Sequence, residues 1–400
     1  RPFRRQRQMC IRDRDKAITY LDSAASTQKP KQVINSISEF LENSYENVHR
    51  GMNSLSIDAT DLYEKSRDVA KNFINSNSTN EIIFTRGATD SINIIANSLA
   101  EHLKEDDKIV VTELEHHSNY LPWMNLCKKL GLELKIIPIS KDGILSEDDI
   151  INNCDDSTKV LSLTHMSNVT GQILDIKKIK KSINKDTYVA VDGCQSIAHL
   201  KIDVKDLDCD FYSFSSHKLY GPSGIGIMYG KEDILNKLNP PTLGGGMINE
   251  VSSNDFSYAM LPNKFEPGTP SIEAAIGFKT AMEYLNNNNY QDYFLNEKKL
   301  RSTLIKALRE FKEVDIYGSN DDGNATSIVS FNIKNQNFND IATFLDQYGI
   351  MIRGGHHCCQ PFMKKLGIPG SCRVSFGIYN DLNDIDHFID SLKKTLKLLQ

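Results

Sequence analysis

The chain has 400 residues, 40% of them hydrophobic and 25% charged, which excludes a largely disordered polypeptide and predicts about two or three domains. Its 47 Lys and Arg against 52 Asp and Glu give a net charge of −5 with no dense basic stripe, a poor match to nucleic acid. The longest apolar runs, such as residues 109–111 and 225–228, fall far short of the roughly 20 residues that a membrane-spanning helix needs. Residues 1–14, RPFRRQRQMCIRDR, hold six Arg and no apolar stretch long enough for a signal-peptide core. The transposon-end adapter sequence ATG TGT ATA AGA GAC encodes Met-Cys-Ile-Arg-Asp, the order found at residues 9–13. The segment is therefore expected to be non-native and adapter-derived, with a basic arm or a transit-like segment as the alternative.

From Ile18 onward short β-rich runs alternate with longer helical ones. Residues 81–85, 108–112, 134–138, 159–164, 187–191 and 211–214 are predicted as buried strands of a mostly parallel sheet. Helices are predicted between them at 89–103, 120–130, 146–152 and 175–183. This alternation predicts an α/β fold with helices covering both faces of the sheet. Residues 225–229 add a strand that the short Gly-rich turn before it would make antiparallel. A helix at 271–285 stops at the Asn run 286–289. Beyond it come a helix at 290–311, a strand at 326–333, a helix at 340–348, strands at 350–353 and 372–376, and a terminal amphipathic helix at 384–399. That order predicts a smaller α+β domain over 286–400, after a large domain over 15–285.

Eight cysteines, at 10, 127, 154, 194, 209, 358, 359 and 372, form no C-x-x-C pair and no zinc-ribbon pattern. Without a secretory signal their scatter predicts a reducing, cytoplasmic setting in which most are small buried hydrophobes. The exception would be one placed beside groups that stabilise a thiolate.

Lys218 stands out among many lysines because FSSHKLYGPSGIG follows the apolar strand at 211–214. A lysine at a strand end, ahead of a Gly-rich turn, can be aimed into a cleft where desolvation and neighbouring cations favour the neutral amine of Schiff-base chemistry. Taken alone, a surface lysine in a loop is the more common case. In VDGCQ, Asp192 follows another apolar strand, at the end where ligands bind in open α/β sheets. A Lys with an Asp partner is the pair that pyridoxal phosphate needs, for the carbonyl and for the pyridinium nitrogen. In RGATD, Ala88 and Thr89 would offer N–H groups, and Thr89 a hydroxyl, to a phosphate at a helix N-terminus. An ordinary N-cap explains that turn equally well. Phosphate turn, His116, Asp192 and Lys218 each follow a predicted strand, and this joint placement outweighs each feature alone.

With these residues in view the sequence resembles the class V aminotransferase-like pyridoxal-phosphate enzymes, and within them the group II, SufS-type cysteine desulfurases. LDSAAS, NVHRG, RGATDSIN, EHHSN, HMSNVTG, VDGCQ, DCDFYSFSSHKLYGP, FEPGTP and RGGHHCCQP carry the likeness from about Tyr20 to the C-terminus. It implies a fold type I enzyme: a large domain with a mostly parallel seven-stranded sheet between helices, and a small C-terminal domain carrying the catalytic Cys loop. It further implies that Lys218 binds the cofactor covalently and then acts as base and acid. Asp192 would keep the ring nitrogen protonated, Gln195 would bond the phenolic oxygen, and His116 would stack on the ring and shuttle protons. Ala88, Thr89, Ser215 and His217 would bind the phosphate, with Thr269 of a neighbouring subunit. Asn168 and Arg373 would hold the substrate carboxylate, with Arg353 beside the catalytic loop.

By the same resemblance Cys358 selects the reaction. Arg353, His356 and His357 can favour its thiolate, which would take the substrate's sulfur as a persulfide and leave alanine. Four adjacent residues, His356 to Cys359, cannot easily wrap one tetrahedral zinc ion, so no metal is expected. Cys359 could be a packing residue, an accessory thiol or, by a one-residue shift, the nucleophile. The resemblance implies a homodimer, with Arg50 and Thr269 reaching the neighbour's site, and a SufE- or SufU-type sulfur acceptor in iron–sulfur cluster assembly. A selenocysteine lyase is the closest rival, and a non-catalytic scaffold of the same fold the next. Ser216, Cys194 and Asn53 depart from the usual Gly, Ala and His of the pattern, and none of them is one of the chemical residues.

Overall fold

The computed structural model describes residues 12–13, 16–287, 290–318 and 324–399; Cys10 and most of the N-terminal arginine-rich segment lie outside them. Seven strands make the main sheet, in the spatial order Ile82–Thr85, Gly226–Gly230, Phe211–Ser215, Tyr188–Asp192, Thr158–Thr164, Lys108–Thr112, Glu133–Ile137. The last five run parallel, and Gly226–Gly230 is antiparallel to both of its neighbours. Ile82–Thr85 consequently points the same way as the parallel set. Six strands thus deliver their C-terminal ends to one edge, where a ligand crevice forms in such sheets. Lys108–Thr112 is buried along its whole length, which is why it reads as a continuous β-branched run. Glu133–Ile137, at the sheet edge, keeps exposed and half-exposed positions and begins one residue earlier than predicted.

Two long helices were not predicted, Lys31–Asn43 and Ser54–Phe73, and both pack on Ile272–Asn286. Lys31–Asn43 buries only Val33 and Phe40 fully, a stripe too thin to stand out from its polar residues. Asn53 caps the second helix by accepting the Ser56 N–H at 2.9 Å, so the departure at this position has a local structural use.

The C-terminal region holds a four-stranded sheet, in the order Val314–Tyr317, Ile328–Ile333, Ser371–Ser375, Arg353–Gly355. The predicted strand at 350–353 is in fact two. Ile350–Met351 pairs in parallel with Thr19–Tyr20, whereas Arg353–Gly355 pairs antiparallel with Ser371–Ser375. Leu21 accordingly packs in the core of the smaller unit with Leu300, Phe331, Val374 and Phe388. The two large sheets lie on either side of residue 286 in the chain, whereas Thr19–Tyr20 crosses back to pair with Ile350–Met351. A buried His199–Glu297 pair at 2.8 Å ties the two units together. Among the described residues no helix is long and apolar enough to cross a membrane.

Candidate active site

The strand ends converge on a cavity of about 190 Å³. One wall is the turn after Ile82–Thr85. Gly87 caps the helix Ala88–Leu99 at φ 145°, a conformation that favours glycine, and offers no side-chain oxygen to the helix N-terminus. The Ala88 N–H donates to Ser215 Oγ at 2.9 Å, and the Thr89 hydroxyl pairs with Ser118 Oγ at 2.8 Å. Ala88, Thr89, Ser215 and His217 all line the cavity beside Lys218. An uncapped helix start flanked by hydroxyls, with an amine in the same cavity, suits a phosphorylated aldehyde.

Asp192 lines the same cavity, buried at 5% exposure, with Oδ1 accepting the Cys194 N–H at 2.9 Å. Gly193 beside it permits the packing, since a Cβ there would lie 2.0 Å from the Tyr212 ring. Cys194 lines the cavity next to Ser215, and burial pushes its thiol up to about 12, which leaves it protonated. Ser216 is fully buried with its hydroxyl where a Cβ on Gly221 would stand, so it is a packing residue.

His116 caps the helix His117–Leu130, its Nδ1 accepting the Ser118 N–H at 3.1 Å. Burial, Lys218 and neighbouring cations lower its pKa to about 3, so the ring is neutral with its proton on Nε2. Beneath it Glu115 is fully buried and accepts from Thr112 Oγ1 at 2.7 Å, Asn119 Nδ2 at 2.6 Å and the Thr164 N–H at 3.1 Å. Desolvation pushes this carboxyl up to about 8. Burial likewise holds His165 at about 4 and His357 at about 2, against an ordinary 6.5. The unfolded chain protonates these rings and the folded chain does not. Stability therefore falls as pH drops below about 6.5, by up to about 1.4 kcal/mol per unit for each ring. Unfolding midpoints of the apoprotein followed by circular dichroism from about pH 6.5 to about pH 5 should decline, the three rings outweighing the opposite contribution of the raised Glu115 carboxyl; a level profile would contradict buried neutral imidazoles.

Asn168, Arg353, Cys358 and Arg373 also line the cavity. His357 and Cys358 both hold left-handed φ values, 53° and 54°, which is strained for residues with a Cβ. The loop is held by the His117 N–H donating to Cys358 O at 2.7 Å and by Asn168 Nδ2 donating to His357 O at 2.6 Å. The His357 ring meets Ser371 Oγ at 3.0 Å and is neutral, so it supplies no positive charge to the thiol, contrary to the sequence-based expectation. The buried cation in electrostatic reach of Cys358 is Arg373. Cys358 is exposed, whereas Cys359 is buried with its thiol donating to Glu113 O at 3.6 Å, and burial raises its pKa. Among the described residues no three His, Cys, Asp or Glu side chains are arranged to hold a metal ion.

Two of the residues singled out from sequence stand apart from this cavity. Gln195 is buried with Nε2 donating to Ala24 O at 2.9 Å, behind the lining. Thr269 is exposed in a second cavity of about 550 Å³ that also takes in Arg50. Three further residues contribute that sequence reasoning gave no role. His117 Nε2 accepts the Gln360 N–H at 3.2 Å and so supports the Cys loop. Lys29 donates to His217 O at 3.1 Å, directly behind Lys218. Asp22 bonds Arg373 Nη2 at 3.0 Å and reaches Arg353 Nε at 3.4 Å. Asp22 and Lys29 sit in and beside LDSAAS, but nothing in that motif announces a partner some 190 or 350 residues away.

Residues 19–388 match the aminotransferase class-V family. The chain is 43% identical over 383 residues to a protein of Staphylococcus epidermidis described as a "probable cysteine desulfurase", covering 95% of this chain and 92% of that one. A counterpart from Staphylococcus aureus, described in the same words, is 42% identical over 382 residues, with 95% and 92% covered. Among solved structures, the apo cysteine desulfurase of Thermococcus onnurineus superposes with a TM-score of 0.92 at 36% identity, covering 95% of each chain. An Escherichia coli cysteine desulfurase, determined in an S-sulfonic acid form, gives 0.88 at 32% identity, again covering 95% of each.

Proposed function

Because this chain belongs to the aminotransferase class-V family and is a cysteine desulfurase, we propose that it uses pyridoxal 5′-phosphate bound at Lys218 and passes the sulfur of L-cysteine to Cys358 as a persulfide. One observation carries the reading: Lys218, Asp192, Cys358 and Arg373 line a single cavity although they come from four separate segments. The cofactor, when bound, supplies an electron sink for the negative charge that develops on the substrate's α-carbon.

The protein's own residues do the rest. The turn at Ala88 and Thr89, with Ser215 and His217, would hold the phosphate, and the Asp192 carboxylate in the same cavity would keep the ring nitrogen protonated. Arg373 and Asn168 hold the substrate carboxylate, Arg373 as a buried guanidinium with Nη1 donating to Asn168 O at 2.9 Å. Lys218 removes the α-proton and later returns a proton to carbon. His116, neutral and protonated on Nε2, lines the same cavity and would donate a proton there without adding charge. The Cys358 thiolate attacks the substrate sulfur; the new S–S bond forms, the Cβ–S bond breaks, and its electron pair stays on the substrate's carbon skeleton. Protonation gives alanine, and Cys358 carries S–SH. A sulfur-acceptor protein of SufE or SufU type then takes this sulfur for iron–sulfur cluster assembly, in a reducing, cytoplasmic setting where the seven described cysteines stay free. Purified protein supplied with the cofactor, L-cysteine and a thiol reductant should release one alanine per sulfur mobilised; no alanine would overturn the reading.

The working unit in this proposal is a homodimer. Thr269 and Arg50 line a separate cavity of their own chain and not the one that holds Lys218, and the surface carries exposed apolar side chains, among them Met52 at 98%, Met260 at 82% and Val251 at 66% exposure. Light scattering should give twice the chain mass. Thr269→Val should weaken cofactor binding about tenfold through loss of one charge-assisted hydrogen bond. A monomer with full cofactor affinity would contradict this arrangement.

A further inference from the structure

The first turn of the helix His117–Leu130 packs against the loop that carries Cys358. The N–H of a helix's first residue has no partner within its own helix, and that of His117 donates to Cys358 O at 2.7 Å. The ring of the same residue accepts the Gln360 N–H on Nε2 at 3.2 Å. Gln360 opens the helix Gln360–Leu366, which receives no side-chain cap from its own Cys359. His117 therefore supplies that cap from another part of the chain, and one residue holds the backbone on both sides of Cys359. Four positions earlier, the Glu113 carbonyl accepts from the Cys359 thiol at 3.6 Å. His117 does not line the cavity, whereas its neighbour His116 and Cys358 both do.

We propose that His117 is a positioning residue that fixes the reach of Cys358 into the cavity, by clasping its loop at the Cys358 carbonyl and the Gln360 amide. The proposal rests on Cys358 being the nucleophile. The loop needs such a hold because His357 and Cys358 keep left-handed φ values of 53° and 54°, from which residues with a Cβ relax when released. Asn168 fixes the chain before Cys358, through the His357 carbonyl at 2.6 Å; His117 fixes it after. Accepting through Nε2 places the ring's proton on Nδ1. Desolvation, and then His356 on the loop itself, lowers the ring's pKa and so favours this neutral form. Loss of the clasp would leave the substrate's carboxylate contacts and the cofactor's anchor untouched. It would act on the approach of sulfur to sulfur, where a small misplacement slows a reaction.

In the cofactor-loaded enzyme with excess thiol reductant, His117→Ala should lower kcat for alanine release from L-cysteine about tenfold, with KM and cofactor affinity within about twofold of wild type. His117→Gln, whose Oε1 reaches about as far as Nε2, should restore most of the rate. His117→Asn, whose Oδ1 stands only as far out as Nδ1, should not. The Gln and Asn variants are compared directly, so the test holds even if His117→Ala fails to fold. Hydrogen exchange of the peptide containing Gln360 gives a readout without turnover. It should be faster than wild type in the Ala and Asn variants and close to wild type in the Gln variant. Equal rates or equal exchange in the Gln and Asn variants, or a loss confined to KM or to cofactor affinity, would overturn the proposal. Cys358→Ala tests the underlying reading separately: retained turnover would remove the nucleophile itself, whereas lost turnover together with an unmoved His117→Ala rate would count against the clasp alone.

Discussion

Lys218→Ala is expected to lower alanine release from L-cysteine by about ten-thousandfold or more, since it removes both the covalent anchor and the proton-transfer group. The protein should also lose the visible absorbance of bound cofactor while keeping its fold. The fold should survive because the backbone here is held from elsewhere. The carbonyl preceding Lys218, that of His217, accepts from the Thr27 N–H at 3.0 Å, Thr27 Oγ1 at 3.1 Å, Ser26 Oγ at 3.2 Å and Lys29 Nζ at 3.1 Å. None of these bonds involves the Lys218 side chain. A wild-type unfolding midpoint with a colourless, inactive protein is the predicted pair of results. Retained colour and turnover would place the chemistry on another lysine.

Cys358→Ala should reduce L-cysteine turnover at least about a thousandfold while leaving cofactor binding intact, because the thiolate acts on the substrate's sulfur and does not touch the cofactor's anchor. The loop should keep its place, since its tethers run through the Cys358 and His357 carbonyls. Selenocysteine turnover should survive better, because selenium leaves more readily than sulfur. Cys359→Ala should do the reverse of Cys358→Ala. Its buried thiol packs against the Glu113 carbonyl, so that variant should lower the unfolding midpoint and keep most of the activity. Alanine release from each substrate, measured beside thermal unfolding, separates the two cysteines. Full L-cysteine activity in Cys358→Ala would remove the persulfide step from the account.

The sheet was legible because burial on both faces leaves runs such as KIVVT at Lys108–Thr112 with little else to be. The short Gly-rich turn likewise pointed to the reversed strand Gly226–Gly230, which is antiparallel to its neighbours. What escaped the sequence was set by partners far along the chain. Ile350–Met351 and Arg353–Gly355 read as one strand, yet they pair with Thr19–Tyr20 and Ser371–Ser375 respectively. His357 looked like a cation for the thiol, but burial and a bond to Ser371 keep it neutral. Asp22 was part of a quoted motif without a role, because its meaning comes from two arginines that arrive more than 300 residues later. Joint placement after strands singles out Lys218 and Asp192 in the sequence, and the family resemblance singles out Cys358; charge balance around them becomes visible only once the chain is folded.

The persulfide on Cys358 is tested most directly by mass spectrometry of the cofactor-loaded protein after brief incubation with L-cysteine without reductant. The peptide containing Cys358 should gain the mass of one sulfur, reversibly on adding a thiol. Alanine release with the added sulfur on Cys194 or Cys359, or on no cysteine, would contradict the account.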